Sequence, residues 1–332
     1  MAKPQSTIEY LKRSMSSLGY TFREYSLSNE LFTEFIAPNG DTWITNNDKV
    51  YYPFSSIGAK LISKSKILSN EMVTQLGGNL PLTYEIHKSN NNDTALQAII
   101  NEGRSLIVKP YDSTLSNGLT TDITTVDALQ SALGFAYEYS NTALVQEQVY
   151  GDDVRFMIID GKVEGVILRQ TPRIIGDGVS TVAELIVAEN GLRSKVQLEH
   201  GMRYRELTDR YIDESFVTSQ EVLADGEIKE LSREVLVRRG ASAYNITEEI
   251  HPSYAEEIEK IANHLGKGIL AVDVIIKDYT QPNNGSNYWF LEFNSSPVIA
   301  LCYCIRDANH FDILSYLGPM LDRVITTRLF ER

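Results

Sequence analysis

Two apolar segments near the end of the sequence carry oxygen-bearing side chains where a buried strand ordinarily has none. Asp273 lies within ILAVDVII, and Glu292 and Asn294 lie within WFLEFN. Burying an unpaired carboxylate is costly, so such groups are usually paired or metal-bound. Side chains of a strand alternate between its faces, so Glu292 and Asn294 share a face, and pairing of the two strands would add Asp273. This oxygen-only set suits Mg²⁺; a buried hydrogen-bond network is the alternative.

Lysines upstream of these strands could supply the complementary positive charge. Lys109 ends the apolar segment SLIVKP and precedes the small, polar loop 112–118. Backbone N–H groups of such a loop can approach phosphate oxygens, with the strand-end lysine as a point charge. Lys66 lies in a predicted helix. Taken singly, each lysine is also explained as a solvated charge on the surface.

The segment LVQEQVYGDDVRFMIIDGKV combines a strand, a turn with glycine and acidic residues, and a hairpin. Its backbone could serve the edge of an adenine ring, and Asp153 could accept hydrogen bonds from ribose hydroxyls. A strand and a turn without a ligand is the simpler interpretation of this segment by itself.

The elements that must position these residues alternate between helix and strand. The spacing of apolar residues predicts a helix over 7–18 and then two or three short strands, with a turn at 38–40. A single helix is predicted over 55–77, where a glycine pair ends it. The pattern that follows alternates strands with helices in at least two lobes, so the predicted fold class is α+β.

Three local signals mark further boundaries. Asp160-Gly161 predicts a β-hairpin, and Thr181 with Glu184 predicts a capping box. His251, in EEIHPSYAE, is interpreted as a residue at a helix entry rather than a catalytic base. The charged region 191–235 permits no assignment from its pattern.

Read in order, the motifs are KILSN, IVKP with its small-residue loop, VQEQVYGDDVR, VDVI and LEFNSSP. This series, from about residue 55 to the end, resembles the ATP-grasp superfamily. The passage ending in GDG at 176–178, and the loop TQPNNGSNY, are similar to those of cyanophycin synthetases and bifunctional glutathione synthetases. The resemblance implies an ATP-grasp fold: a small N-terminal α/β domain (1–60), a central lobe (61–143) and a C-terminal lobe (144–332).

The resemblance also implies ATP and Mg²⁺, expected as two ions with Mn²⁺ as a possible substitute. Lys66 and Lys109 would hold the phosphates under a lid formed by the loop 112–118. The positions that would line the adenine and ribose sites are Gln146, Gln148, Val149 and Asp153. Gln146 stands where the family commonly has an acid.

In the same alignment of motifs, Asp273, Glu292 and Asn294 match the metal ligands, and Arg155 and Arg169 match arginines near the γ-phosphate and the acyl phosphate. The implied activity is ligation: a carboxylate is activated as an acyl phosphate, and an amine then attacks to form an amide with release of ADP and phosphate. This chemistry needs positioning and neutralisation of charge rather than a protein nucleophile. The expected substrates are an amino acid or short peptide and an amine.

The segment LVRRGASAYNITEEI departs from the relatives, which carry a run like N-x-S-T-G-G there. Gly240 alone remains of the glycine pair, Arg238 and Arg239 replace small polar residues, and Asn245 replaces an acid. An arginine pair facing a pocket would favour an anionic substrate; two arginines on a surface strand are the alternative. Three rival functions follow: a glutathione-type synthetase for γ-glutamylcysteine and glycine, a ligase that modifies a ribosomal precursor peptide, and a nucleotide-binding protein without ligase activity.

Composition narrows the partners. The formal net charge of −13 over 332 residues disfavours nucleic acid and weakly disfavours an anionic membrane surface. No apolar run approaches the length of a signal peptide core or a membrane span. The two cysteines, Cys302 and Cys304, are typical of a reducing compartment, so a cytoplasmic location is expected. The modules fused to this part in the relatives are missing here, so a free-standing ligase is expected, and a homodimer is expected because dimers are common in the superfamily.

Overall fold

The computed structural model describes residues 6–47, 50–53, 57–90, 92–111, 118–200, 206–208, 212, 218–265, 268–303 and 313–327. Within these ranges, only the backbone is described at residues 57, 196–200, 238, 300, 303 and 327. Nearly all of the predicted lid, 112–117, and the second cysteine, Cys304, lie outside the described residues.

Helices are interspersed with groups of one to four strands along the described residues, apart from α2 and α3, which follow each other directly. The α-helices are α1 Thr7–Ser17, α2 Ile57–Lys64, α3 Lys66–Gln75, α4 Asp93–Ile100, α5 Val126–Ala136, α6 Val182–His200, α7 Pro252–Ala262 and α8 Ile313–Thr327. The strands are β1 Thr21–Leu27, β2 Glu30–Ile36, β3 Thr42–Asn46, β4 Thr83–His87, β5 Leu106–Pro110, β6 Thr120–Ile123, β7 Thr142–Glu147, β8 Asp152–Ile159, β9 Lys162–Gln170, β10 Arg173–Ile175, β11 Ile228–Glu230, β12 Ser242–Asn245, β13 Ile269–Ile276 and β14 Tyr288–Asn294. None of the helices in the described ranges is both long and apolar enough to cross a bilayer.

The single helix predicted over 55–77 is wrong, because the structure has two helices separated at Ser65. Ser65 has extended backbone angles, and its side chain accepts a hydrogen bond from the backbone N–H of Leu68 at 3.3 Å. A serine hydroxyl at this position satisfies a donor of the first helical turn and favours a new helix start. The break places Lys66 in the first turn of α3.

The three local signals are confirmed. Asp160 and Gly161 have φ values of 51° and 82° and join β8 to β9, as a tight hairpin turn requires. Thr181 and Glu184 exchange two backbone-to-side-chain hydrogen bonds, of 2.8 and 3.3 Å, which is the capping box. His251 precedes α7 and accepts from the N–H of Ser253 at 3.3 Å.

The central sheet has the order β4-β7-β5-β6, with antiparallel pairing throughout. Helices α4 and α5 pack on it through an apolar core that includes Leu96, Leu129 and Val145. The boundary predicted between residues 143 and 144 falls inside β7, which pairs with this sheet on both sides. The division into three domains remains a prediction.

The C-terminal sheet has the order β12-β9-β8-β13-β14, again antiparallel. Strand alternation gives it two different faces. One face packs against α7 through residues such as Phe156, Val272 and Val274. The opposite face, called the site face below, carries Met157 and Ala271 into a core shared with the N-terminal sheet and α8. Beyond that apolar end, the site face continues with the charged residues described next.

A smaller unit follows β9 in the chain. Strands β10 and β11 pair with each other. They and α6 share a fourth apolar cluster: Ile174, Val182, Leu207, Leu223 and Leu231. This unit leads into β12, which returns to the C-terminal sheet beside β9.

Candidate active site

A β-bulge turns Glu292 onto the site face. Asp273 of β13 lies opposite Glu292 of β14, and the register shifts between Asp273 and Val274. Phe290 and Phe293 both enter the apolar core against α7, with ring centroids 4.5 Å apart. Two residues three positions apart share a strand face only if one extra residue intervenes. The bulge therefore buries both rings and places Glu292 beside Asp273, as the predicted pairing of the two strands required.

Two ion pairs join three neighbouring strands on the site face. Asp273 lies opposite Arg155 of β8, and both carboxylate oxygens accept from that guanidinium at 2.6 Å. Asp153 lies opposite Arg169 of β9 and accepts from two of its nitrogens at 2.6 and 2.5 Å. Arg169 also approaches Asp273, at 3.5 Å. Cross-strand alignment thus links four of the predicted site residues in one network.

Burial and pairing shift the pKa values of this network in different directions. Burial raises the pKa of Asp153 to about 6, with Asp273 adding to the effect, although Arg169 opposes it. Burial would also raise the pKa of Asp273, but Arg155 and Arg169 outweigh it and hold that pKa below its ordinary range. Burial opposes charge on Arg155, yet Asp273 and Glu292 keep its pKa above the ordinary value. Asp273 is therefore the more firmly ionised of the two aspartates.

The oxygen donors predicted to hold a metal ion lie at the edge of this network. Asn294 donates to Glu292 at 3.2 Å, and Glu292 lies beside Asp273. Among the described residues, no group of three or more His, Cys, Asp or Glu side chains is arranged to hold a metal ion. The donor set predicted here combines two carboxylates with one amide, so it does not form such a group. The oxygens of Glu292 and Asn294 fit a hard cation such as Mg²⁺. Each Asp273 oxygen already accepts from Arg155, so ligation through Asp273 would use a remaining lone pair.

Lys109 lies on the central sheet and faces the same region. Its ammonium donates to the side-chain oxygen of Gln146 at 2.9 Å, and the Gln146 amide donates in turn to Thr83 at 2.8 Å. Burial lowers the pKa of Lys109 to about 8; nearby Lys66 lowers it further and Glu292 partly opposes this. The Glu292 carboxylate thus favours the charged form of Lys109.

The junction between α2 and α3 contacts both lobes. Lys66 lies 3.4 and 3.5 Å from the carbonyl oxygens of Pro110 and Tyr111, directly after Lys109. Ser65 shares a hydrogen bond of 2.8 Å with the Tyr111 hydroxyl. Ser63 shares one of 2.9 Å with Ser295, the residue after Asn294. Sequence reasoning missed these serines; the alternation Ser-Lys-Ser-Lys at the helix break was the available signal.

Residues 148–151 link β7 of the central sheet to β8 of the C-terminal sheet. Gln148 and Val149, two of the residues predicted to line the adenine site, lie in this link. The Gln148 side chain accepts from the Asp122 N–H at 2.7 Å and donates to the Asp122 carboxylate at 3.0 Å, so it braces the edge strand β6. Val149 is half-buried in the link. A Cβ at Gly151 would lie 2.3 Å from the carbonyl oxygen of Ile276, so glycine is required where the link joins Asp153 and β8. The adenine role predicted for Gln146, Gln148 and Val149 remains a prediction.

The arginine pair that departs from the relatives is not two bare charges. Arg239 forms an ion pair with Glu234, while the side chain of Arg238 lies outside the described residues. Asn245 accepts from the Thr247 hydroxyl at 2.6 Å. The structure therefore pairs Arg239 with a carboxylate of its own segment.

No family model matches this chain, but individual proteins do. It is 24% identical over 251 residues to a bifunctional glutathione biosynthesis protein of Mannheimia succiniciproducens, a match that covers 73% of this chain and 33% of that protein. It is 29% identical over 201 residues to a cyanophycin synthetase of Crocosphaera subtropica, covering 59% of this chain and 23% of that protein. The chain thus spans a third or less of the length of these relatives.

Solved structures agree in fold. The crystal structure of a bifunctional glutathione synthetase from Pasteurella multocida superposes with a TM-score of 0.67 at 19% identity, covering 97% of this chain and 44% of that one. A D-alanine–D-alanine ligase from Bacillus anthracis gives 0.51 at 13% identity, covering 85% of this chain and 73% of that one. The predicted resemblance and the predicted α+β ATP-grasp fold are confirmed.

Proposed function

We propose that this chain is an ADP-forming carboxylate–amine ligase that uses Mg²⁺ and ATP to join an amino acid or short peptide to an amine. The observation that carries the proposal is the arrangement of charge between the central sheet and the site face, which the α2–α3 junction contacts together. Lys109 and Lys66 lie on the side of the central sheet, and Glu292, Asp273 and Arg155 lie on the site face. Cations and oxygen donors that face each other in this way suit a polyphosphate with its metal ion.

Each side would have a distinct part in phosphoryl transfer. Lys109 and Lys66 would neutralise phosphate oxygens, and Arg169 would neutralise the acyl phosphate as it forms. Glu292 and Asn294 would hold a divalent cation, which supplies further neutralisation of the phosphates when bound. Because a loose phosphoryl-transfer transition state demands little covalent chemistry from the protein, fixed charges of this kind are the expected catalytic device. The similarity to proteins named as glutathione and cyanophycin synthetases supports amide-bond formation.

An assay of ADP and phosphate release, run over pairs of amino acids, dipeptides and amines, tests this proposal. We expect release of ADP and phosphate with at least one pair, and a product whose mass equals the two substrates minus water. The pair γ-glutamylcysteine and glycine is included because bifunctional glutathione proteins are among the relatives. Binding of ATP without turnover on any pair would contradict the ligase and favour a nucleotide-binding protein.

Two variants test the assigned residues. Lys109→Ala and Glu292→Gln are each expected to lower turnover by at least about 100-fold, with circular dichroism spectra like that of the wild type. Lys88→Ala and Glu256→Gln make the same kinds of change at exposed positions and should retain activity. Full turnover in both site variants would contradict the phosphate and metal assignments.

A further inference from the structure

The segment between β11 and β12 contains an ion pair, Glu234 with Arg239, in which one carboxylate oxygen has no hydrogen bond within the described part of the chain. Glu234 Oε1 accepts a hydrogen bond from the guanidinium of Arg239. Glu234 Oε2 is buried without a hydrogen-bond partner among the residues that the structure describes. A buried carboxylate oxygen is normally hydrogen-bonded, because burial removes its hydrogen bonds to water. The Glu234 side chain as a whole is 39% exposed, so a ligand that contacts it could supply the missing donor.

Arg239 has hydrogen-bond donors that the ion pair does not use. Its contact with Glu234 uses one nitrogen, Nη1, of a guanidinium that has five N–H donors in total. About 38% of its side chain is exposed, so its remaining donors are accessible to a ligand. The ion pair as a whole thus presents one acceptor and several donors side by side.

This segment runs along the chain between a contact with the central lobe and a contact with the C-terminal sheet. Arg233 forms an ion pair with Asp122 on the edge strand β6 of the central lobe. Downstream, Ala243 of β12 lies opposite Arg169 of β9, which belongs to the charged network of the site face. The Glu234–Arg239 pair lies in the chain between these two anchors.

The segment is also held in place from within. Arg193 of α6 is 2% exposed and donates to the Gly240 carbonyl at 2.9 Å and to the Ser242 hydroxyl at 3.2 Å. Gly240 has a φ of 95°, a conformation that favours glycine. The hydroxyl of Ser232 accepts from the Glu234 N–H at 3.1 Å. A segment fixed at both ends loses little entropy when a ligand binds.

We infer that the Glu234–Arg239 pair binds the α-ammonium and α-carboxylate groups of an amino-acid substrate: Glu234 Oε2 accepts from the ammonium, and the free N–H groups of Arg239 donate to the carboxylate. A neutral, dipolar pair suits a zwitterion better than the anionic substrate predicted from two bare arginines. An ammonium held by a carboxylate stays protonated and has no lone pair for attack. The group that reacts is therefore another one on the same molecule, such as a side-chain carboxylate or amine. This inference rests on the proposed ligase function.

Substrate analogues with the wild type and Glu234→Gln test the inference. The probes are aspartate, glutamate, lysine and ornithine, each free, N-acetylated or as the α-amide, with ADP release as the readout. For the wild type, masking the α-amine or the α-carboxylate should raise KM by at least about tenfold. Glu234→Gln should raise KM for the free amino acid by a similar factor, leave KM for ATP unchanged, and abolish the discrimination against the N-acetyl form. Arg239→Gln should do the same for the α-amide.

Glu221→Gln is the matched control, because Glu221 forms an ion pair with Lys229 in the same small unit at 3.0 Å; it should discriminate like the wild type. If Glu234→Gln and the wild type discriminate equally between free and N-acetylated substrates, the inference is wrong while the ligase stands. If the wild type releases no ADP with any probe or with the wider substrate screen, the proposed function fails and the inference fails with it.

Discussion

On the C-terminal sheet the largely buried Arg155 and Arg169 each face a carboxylate, whereas on the central sheet the partly buried Lys109 donates to the neutral amide of Gln146. Both arrangements bury charge, but they leave it in different states. Arg155 and Asp273 neutralise each other in contact, and each favours the ionised form of its partner. Lys109 is desolvated beside a second lysine, and its pKa falls.

This difference distinguishes charges that stabilise the fold from charges that are expected to bind a ligand. Removing one member of a contacting buried ion pair leaves an uncompensated charge, which is strongly destabilising. Removing a cation whose charged form is penalised by burial relieves that penalty. The arginine side should therefore matter most to folding, and the lysine side most to binding an anion.

The largest effect on stability is expected for Arg155→Met. The change leaves Asp273 buried beside the more distant Arg169, so the free energy of unfolding should fall by about 3–5 kcal/mol, measured by denaturant titration. Arg323→Met is the control, because its ion pair with Asp160 is largely exposed and should contribute about 0–1 kcal/mol. Equal losses in the two variants would contradict the distinction between the buried and the exposed pair.

Lys109→Met is expected to stabilise the protein while abolishing turnover. A tenfold change in an acid constant corresponds to about 1.4 kcal/mol, so lowering the pKa of this partly buried lysine from 10.5 to about 8 is equivalent to at most roughly 3 kcal/mol. The charged lysine carries this penalty in full below about pH 8. Between about pH 8 and 10.5 the unfolded chain holds the proton that the folded chain has lost, so wild-type stability recovers as the pH rises.

The advantage of the methionine variant should therefore be greatest near pH 7 and shrink above pH 8, measured by denaturant titrations across that range. Lys88→Met, at an exposed position, is the control and should change the free energy of unfolding little at pH 7. A methionine variant less stable than the wild type at pH 7 would mean that Lys109 stabilises the fold as Arg155 does.

The smallest effect is expected for Gln148→Ala. The side chain makes two hydrogen bonds with Asp122, a residue at a φ of 59° that needs such support. The free energy of unfolding should fall by about 1 kcal/mol, with ATP affinity unchanged in calorimetric titration. A large loss of ATP affinity without a loss of stability would instead favour the adenine contact predicted from the sequence.

The individual residues of the site could be predicted from the sequence more readily than the contacts between them. Asp273 and Glu292 were detectable because a carboxylate in an apolar strand is improbable without a partner. Their actual partners were not detectable, since Arg155 lies 118 positions from Asp273 in the chain. The break at Ser65 was missed because the apolar periodicity continues across it, and a single hydroxyl decides the start of α3.

The sequence by itself determined what depends on neighbouring residues: the hairpin at Asp160-Gly161, the capping box at Thr181, the alternation of strand faces, and the motif order that identifies the fold. Tertiary structure alone decided the bulge that turns Glu292 towards Asp273, the capture of both Asp273 oxygens by Arg155, and the open oxygen of Glu234. The physical reason is distance. Turn and capping energies act within a few residues along the chain, whereas ion pairing and desolvation depend on separations through space that only the folded chain defines.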